Sequence, residues 1–541
     1  MTYLTKNNKL HKISLKKFCI NIFIIFVFII LLLSHNIFAE ITQITHCGSL
    51  SQEGVVYILQ NNIVGTGQNP CFTISANNIT LDCNGYSITN VQTGIKITDY
   101  NFATIKNCDI NATGNGVLFS FSSSNNLIDS NILSQQSISV FLSTTHDNNV
   151  VNCNITSNGY DALSIYNNSY NNLVKDSNIL SIANNKSGVA FTTFSNDNNI
   201  INCNITGVRV GVFFYSNSYN NLIKDSNLLG TGIQGMGAYF YSNSGTAHDN
   251  NIVHCNLTAK HHAVCFHTNS YNNLIIASNI LTLGDPSSEA YGAYFVNSHD
   301  NKIIDSNIIS NILETGNNPY TVIFQNTYNN LIDTCNLNII GDDGTIVYIS
   351  SASNNIIKNS RLISESTSNT INLVQIWENS NTNIFEKNIF DANNLPEGGY
   401  MIYLNSSSSQ NSFCLNTFLD SNAYFVFDQG NNDYNTLCES KNQGNIWANI
   451  SDLNIIGTDD STIPGYLIGN DGTDYPYQYG DPNFKVYGTV VDYAPLVLSF
   501  LDTDGDGFMD VSDNCPNIYN PLQWDSDNDG DGDMCDVPMC S

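Results

Sequence analysis

The chain has 541 residues and a formal net charge of −29, from 18 basic against 47 acidic side chains. Only 12% of it is charged, so Asn, Ser and Thr carry its polarity. With Arg209 and Arg361 as its sole arginines it lacks the basic clusters that nucleic acid binding requires.

Five lysines (Lys6, Lys9, Lys12, Lys16 and Lys17) precede an apolar run of sixteen residues from Phe18 to Leu33, and a small residue stands at Ala39. A basic start, a short apolar core and a small residue read as a secretory signal over 1–39, short of the ~20 residues a membrane span needs. Uncleaved, it becomes an N-terminal anchor, the one route to a membrane. Either way the remaining chain is expected outside the cytoplasm, secreted or at the cell surface. Fifteen cysteines suit an oxidising compartment. Cys47 and Cys71, Cys414 and Cys438, and Cys515 and Cys535 are local pairs and disulfide candidates.

From about residue 40 to 440 one phrase recurs, as in HDNNVVNCNITS, YNNLVKDSNILS and NDNNIINCNITG. The second residue of its Asn pair falls at 126, 149, 172, 199, 221, 251, 273, 302 (here Lys), 330 and 355. No helical period appears; short β-branched runs alternate with Asn, Ser, Gly and Asp. A period of about 25 residues without helices predicts an all-β, right-handed parallel β-helix of about sixteen coils over 40–440. A short cap or linker over 441–500 and a C-terminal module over 501–541 follow. Stacked at one turn, the Asn pairs are expected to hydrogen-bond from coil to coil, Asn also tolerating left-handed backbone. Ahead of each pair stands a strand such as GVLFSF, GVFFYS or GAYFYS. Alternation sends Val117/Phe119, Val212/Phe214, Ala238/Phe240 and their equivalents inward as the core. Cys108, Ser130, Cys153, Ser177, Cys203, Ser226, Cys255 and Cys335 read as one inward, size-restricted position, with Cys acting there as a small hydrophobe. The YNN coils carry an apparent extra residue before that Ser, such as Asp176 or Asp225.

The opening stretch CGSLSQEGVVYILQNNIVGTGQNPCFTISANNITLDCNGYSI resembles the start of secreted right-handed β-helix proteins of the NosD-like and pectate-lyase-like families. GNIW at 444–447, with the later DGTDYPYQ and VDYAPL, resembles the segment that ends NosD-like β-helices. The resemblance implies the fold and is weak for activity.

The outward residues of the middle strands form an aromatic ladder: Phe213, Tyr215, Tyr239, Tyr241, His267 and Tyr294. Flat rings flanked by Asn and Ser amides suit sugar rings, and an exposed patch of this kind exceeds ordinary soluble surface. The competing account is that the rings brace neighbouring strands. For catalysis, a pectate-lyase-like site implies a basic residue beside acidic calcium ligands, and the two arginines lie many coils apart. The short motifs of polygalacturonase-like hydrolases do not occur. Asp342-Asp343 and Asp459-Asp460 are acidic pairs in Gly-rich turns, and sequence alone does not set them across one glycosidic bond. No catalytic residue is assigned. The NosD-like resemblance implies copper, and alternation would put His261, Cys265 and His267 on one outward face, a soft-metal set. No ligand spacing recurs, so they read as surface polar residues. His146, His248 and His299 read as turn residues, and sequons at Asn154, Asn204 and Asn256 fall out of the repeat.

Between 502 and 536 eleven of 35 residues are Asp and none is basic. Asp502, Asp504, Asp506, the Phe508 carbonyl, Asp510 and Asp513 match the calcium-loop spacing, with Gly507 at the turn. Asp525, Asp527, Asp529, the Asp531 carbonyl, Asp533 and Asp536 repeat it, with Gly530 at the turn. The linking DNCPNIYNPLQ resembles the thrombospondin type 3 repeat, which implies bound Ca2+ and supports a Cys515–Cys535 bond. The reading that follows is an extracellular calcium-binding β-helix protein, non-catalytic, acting in cell-surface adhesion or carbohydrate binding. Its alternatives are a polysaccharide lyase or glycoside hydrolase, and a structural envelope component.

Overall fold

The computed structural model describes residues 40–66, 69–284, 289–311, 319–341, 344–364, 372–392, 399–419, 422–434, 437–438, 441–453, 455–463, 466–471, 475–478 and 485–498, with Asn514, Cys515, Ile518, Gly532 and Cys535. Runs of two to six β-branched and aromatic residues form strands, and Asn, Asp, Ser and Gly turn the chain between them. Each coil gives one strand to each of three parallel sheets. Sheet A takes the strands that follow the Asn pairs, sixteen in all from Ile41–Ile44 to Ser412–Cys414. Sheet B takes the GVxF strands, seventeen in all from Gly48–Leu50 to Val486–Gly488. Sheet C takes the NIT and NIL strands, sixteen in all from Ile63–Val64 to Ile446–Trp447. The result is a right-handed parallel β-helix. At one strand spacing per coil the rod is about 70 Å long.

The inward column is as alternation predicts. Val117, Phe119, Val189, Phe191, Val212, Phe214, Ala238, Phe240, Val264, Phe266, Ala293, Phe295, Val322 and Phe324 are all 0% exposed. From Phe191 to Phe324 successive rings stack at 4.6–5.1 Å. Burying each such ring contributes about 1.5–3 kcal/mol, and a single coil has no neighbour against which to bury it.

The rungs of the amide ladder are Asn125, Asn148, Asn172, Asn198, Asn221, Asn250, Asn273, Asn301, Asn330 and Asn355, all at most 1% exposed. In the HDNN coils the rung is the first Asn of the pair; in the YNN coils it is the second. The alignment on the second Asn therefore mixes two registers. The residue before each rung takes left-handed backbone, whether Asp147 (φ 57°), Asn171 (53°), Asp197 (55°) or Asn220 (53°). Asp176 (51°) and Asp225 (51°) likewise hold the turn that Asn152 (53°) and Asn202 (54°) hold elsewhere, so no residue is inserted. From Asn148 on, each rung donates its side-chain amide to the next coil's Oδ1, Asn148 to Asn172 (2.7 Å), then on to Asn198 (2.8 Å), Asn221 (2.9 Å) and Asn250 (2.9 Å). A second, exposed ladder on sheet C runs the other way, Asn154 donating back to Asn131 (2.9 Å) and Asn204 to Asn178 (3.0 Å). The sequon residues Asn154, Asn204 and Asn256 are rungs of it.

The small inward position holds with one correction. Cys153, Cys203, Cys255 and Cys335 are free and 1–2% exposed, and the backbone N–H of each donates to the Ser hydroxyl one coil on, at 3.0–3.1 Å. Cys108, however, is disulfide-bonded to Cys83, with Cα atoms 4.8 Å apart. Adjacent coils bring equivalent inward positions to bonding distance, and here both are Cys. Past the last coil, Ile456–Asp460, Tyr466–Asp471 and Leu496–Leu498 form a small antiparallel sheet. Among the described residues no helix is long and apolar enough to cross a membrane.

Candidate functional site

The strands of sheet B lengthen from four residues, as in Val117–Ser120, to five or six over Ser187–Thr192, Val210–Tyr215, Met236–Tyr241, His262–Phe266, Tyr291–Val296 and Tyr320–Gln325. A short turn fixes the start of the second of these. Only Val208 and Arg209 separate the sheet C strand Asn204–Gly207 from Val210, and a Cβ at Gly207 would collide with the Val210 carbonyl. The longer strands present three outward columns, one of which runs Phe213, Tyr239, Cys265, Tyr294 and Ile323 in register.

The expected ladder is brought together here, but it is not an exposed one. Tyr239 is 7% exposed, Cys265 1%, and Phe213, Tyr215, Tyr241, His267 and Tyr294 are half-buried. Phe213 stacks on Tyr239 at 5.1 Å and Tyr239 on Tyr241 at 5.5 Å. Tyr215 lies 5.9 Å from Tyr241, and His267 meets Tyr241 edge-on at 5.0 Å. Rings in contact lie about 3.7 Å apart, so parallel rings with centroids near 5 Å are offset sideways by roughly 3.5 Å. They overlap like roof tiles, and each leaves part of one face uncovered. The cluster braces the strands and still offers ring surface at its rim.

His261 does not share the outward face with Cys265. Two consecutive residues, Ala263 and Val264, point inward at the corner of the coil, both 0% exposed. That shifts the alternation by one, so His262 takes the outward position, in register with Met236 and Tyr291. His262 is 4% exposed, stacks on Tyr291 at 4.6 Å and lies 3.5 Å from the His261 ring. Burial holds His262 well below the usual imidazole range, and lowers His261 and His267 as well. The His267 Nδ1 accepts the Thr268 N–H at 2.8 Å, which leaves its proton on Nε2. Burial pushes the Cys265 thiol and the Tyr239 and Tyr291 phenols upward. Tyr291 donates to Glu289 at 2.7 Å, and Tyr294 to Gln325 at 2.5 Å. No cluster of three metal-ligating side chains occurs among the described residues.

The other sequence candidates lie apart. Arg361 belongs to sheet C and pairs with Asp391 at 2.6 Å. Asp342-Asp343 and the side chains of Asp459-Asp460 lie outside the described residues, as do all the ligand candidates of both calcium loops, from Asp502 to Asp513 and from Asp525 to Asp536. Cys47 is bonded to Cys71, and Cys515 to Cys535 with Cα atoms 5.5 Å apart. Beside that bond the Gly532 N–H donates to the Asn514 carbonyl at 2.8 Å. Cys414 is disulfide-bonded, and the side chain of Cys438, its candidate partner, lies outside the described residues. His146, His248 and His299 occupy turns. Each pairs its Nδ1 with the following Asp at 2.6–2.7 Å and stacks on a Tyr of a neighbouring coil.

Sequence reasoning missed His262, Tyr291 and Glu289, and also a second run of rings further along sheet B: Trp377, Tyr403, Phe427 and Tyr487. The recurring GVxF phrase that flags the first cluster has faded there.

Residues 42–205 match the family model described as periplasmic copper-binding protein (NosD). A search of curated proteins gives no match. Among solved structures, a double mutant of the periplasmic alginate epimerase AlgG is similar at 12% identity over 62% of this chain and 77% of that one, with a TM-score of 0.32. The Azotobacter vinelandii mannuronan C-5 epimerase AlgE4 A-module is similar at 9% identity over 68% and 87%, with a TM-score of 0.27. A tailspike of E. coli bacteriophage HK620 in complex with hexasaccharide is similar at 12% identity over 80% and 78%, with a TM-score of 0.30. Likenesses this distant assign no activity to this chain.

Proposed function

We propose that this chain is an extracellular β-helix rod that holds a glycan along the outward face of sheet B without cleaving it. The observation that carries the reading is the half-buried ring cluster of Phe213, Tyr215, Tyr239, Tyr241 and His267, held rigid by strands in register. A preorganised aromatic surface loses little entropy on binding. The non-catalytic part is supported by the state of the reactive groups: His262 and Cys265, beside the cluster, are buried and uncharged, and Arg361, away from it on another sheet, is committed to Asp391. Disulfides at Cys47–Cys71, Cys83–Cys108 and Cys515–Cys535 suit an oxidising location outside the cytoplasm. The acidic repeat is proposed to bind structural Ca2+, on the spacing of its aspartates and the disulfide that closes it.

Incubating the full chain with a panel of polysaccharides in calcium, scored for retention and for shorter products, tests this. Retention without products, lost on Tyr215→Ala with Tyr241→Ala, is the expected result. A lyase or hydrolase is the second reading, favoured by the Tyr291–Glu289 hydrogen bond next to His262; products in the same incubation would establish it. Neither retention nor products, with self-association of the rod, would leave a structural envelope component.

A further inference from the structure

The second run of rings continues the outward column of the first. Tyr294, Ile323, Tyr348, Gln375, Tyr403, Phe427 and Tyr487 are successive register partners. Four coil steps separate Tyr294 from Tyr403, a distance of about 19 Å at one strand spacing each. Trp377 stacks on Tyr403 at 5.3 Å, Tyr403 on Phe427 at 5.2 Å and Phe427 on Tyr487 at 5.7 Å. These are the same tiled distances as in the first cluster. Trp377, Tyr403 and Phe427 are half-buried, and Tyr487 is 38% exposed. The Trp377 Nε1 meets no acceptor among the described residues.

Charge limits what can lie across both clusters. The eight successive strands Val210–Tyr215, Met236–Tyr241, His262–Phe266, Tyr291–Val296, Tyr320–Gln325, Thr345–Ser350, Asn372–Trp377 and Tyr400–Leu404 contain no Asp, Glu, Lys or Arg, and the two that complete the second cluster, Tyr424–Asp428 and Val486–Gly488, add only Asp428, which is 0% exposed. A polyuronate laid on this face would bury carboxylates against rings whose strands hold no cation, with Arg209 beside Tyr239 and Lys485 beside Val486 as the basic groups at the flanks, on a chain whose net charge is −29. A polyamine sugar would find carboxylates only at the flanks, Glu289 and Glu378, each already accepting from a neighbour, Tyr291 or Ser350. A neutral sugar meets neither cost: its hydroxyls can bond to the rim amides and phenols while its C–H face covers the rings.

We propose that Trp377, Tyr403, Phe427 and Tyr487 form a second subsite for the same chain of sugars, and that this chain is neutral. The proposal rests on the glycan-binding reading above, and it adds a place and a chemistry to it. One polymer long enough to reach both clusters gains from each through effective concentration.

The test measures affinity of the full chain, in calcium, for a soluble neutral β-glucan and for polygalacturonate, with two variants: Trp377→Ala/Tyr403→Ala and Tyr215→Ala/Tyr241→Ala. Each variant is expected to lose about tenfold on the neutral polymer, and Trp377→Phe is expected to regain part of that loss because it restores a ring. Polygalacturonate is expected to bind at least tenfold more weakly. Full affinity in the Trp377/Tyr403 variant, with loss in the Tyr215/Tyr241 variant, would overturn the second subsite and leave the first. Equal or tighter binding of polygalacturonate would overturn the neutral chemistry. No retention of either polymer would overturn both this proposal and the reading beneath it. Native amide exchange of both variants, unchanged away from the substituted strands, keeps misfolding from imitating a lost contact.

Discussion

Asn250 sits midway along the buried amide column, and its replacement by Ala probes what holds one coil to the next. Its Oδ1 accepts from the Asn221 backbone N–H at 3.1 Å and the Asn221 Nδ2 at 2.9 Å. Its Nδ2 donates to the Ser218 carbonyl and to the Asn273 Oδ1, both at 3.1 Å. Asn250→Ala removes all four bonds. The Asn221 Nδ2 keeps the Ser195 carbonyl at 3.0 Å, and the Asn273 Oδ1 keeps the Asn250 backbone N–H at 3.1 Å. The Asn221 N–H loses its side-chain acceptor in a buried site. One orphaned donor costs about 1–3 kcal/mol and three lost bonds about 0.5–1.5 kcal/mol each, roughly 2.5–7.5 kcal/mol together. Asn251, the next residue, reaches only the Asp249 carbonyl at 3.4 Å and is half-buried, so Asn251→Ala should cost less than about 1 kcal/mol. A rod of repeats unfolds locally as well as globally. Native-state hydrogen exchange at Asn221 and Asn273 is therefore the assay, with the urea midpoint as a second readout. Equal costs for the two variants, or less than about 1 kcal/mol for Asn250→Ala, would refute the ladder's energetic role.

Three further outcomes are expected. Cys83→Ser opens a bond between residues 25 apart, and should lower stability by about 3 kcal/mol and speed exchange in the first coils, while coils beyond Cys153 stay protected. Burial pushes the Asp492 carboxyl up to about 7 against an ordinary 3.8, although three N–H groups donate to it. A raised folded value stabilises below about pH 4 and is lost as pH rises through about 7, a change of about 4 kcal/mol. The Asn445 amide should thus exchange faster at pH 8 than at pH 5, and Asp492→Asn should flatten the profile. Finally, burial raises the thiols of Cys153, Cys203 and Cys255 to about 11 and that of Cys335 to about 12. A maleimide at pH 8, mapped by peptide, should label these four only after unfolding; labelling of any one in the native rod would contradict their inward packing.

The inward phenylalanines were legible because a two-residue period repeats in every coil and only one phase of it is apolar. The amide rung was legible as a residue type and not as a position. An Asn-Asn pair does not say which member turns inward, and the deciding feature is the left-handed residue before the rung, which Asp147 or Asn171 supplies equally well. His262 was hidden because Ala263 and Val264 both face inward at a corner, which breaks the alternation used to place His261. The Cys83–Cys108 bond was missed because LDCNG and KNCDI were not aligned as adjacent coils. The second ring cluster has no sequence phrase of its own; register joins Tyr403, Phe427 and Tyr487, and Trp377 joins them only by stacking on Tyr403.

The amide columns also have an end group. Asn388 passes its amide to Asn416 and Asn416 to Asn445, and the backbone N–H of each meets the next Oδ1. The Asn445 N–H meets the Asp492 Oδ2 instead, at 2.9 Å, so an aspartate fills the place of the next rung. The neighbouring column also ends on a carboxyl, here one of its own coil, where the Asn432 Nδ2 donates to the Asp428 Oδ1 at 2.8 Å. A carboxyl group, in either protonation state, lacks the amide N–H that each rung passes on. A stack whose last unit carries no amide gives a second rod no amide on which to continue these columns, which guards a long parallel solenoid against end-to-end fibre growth.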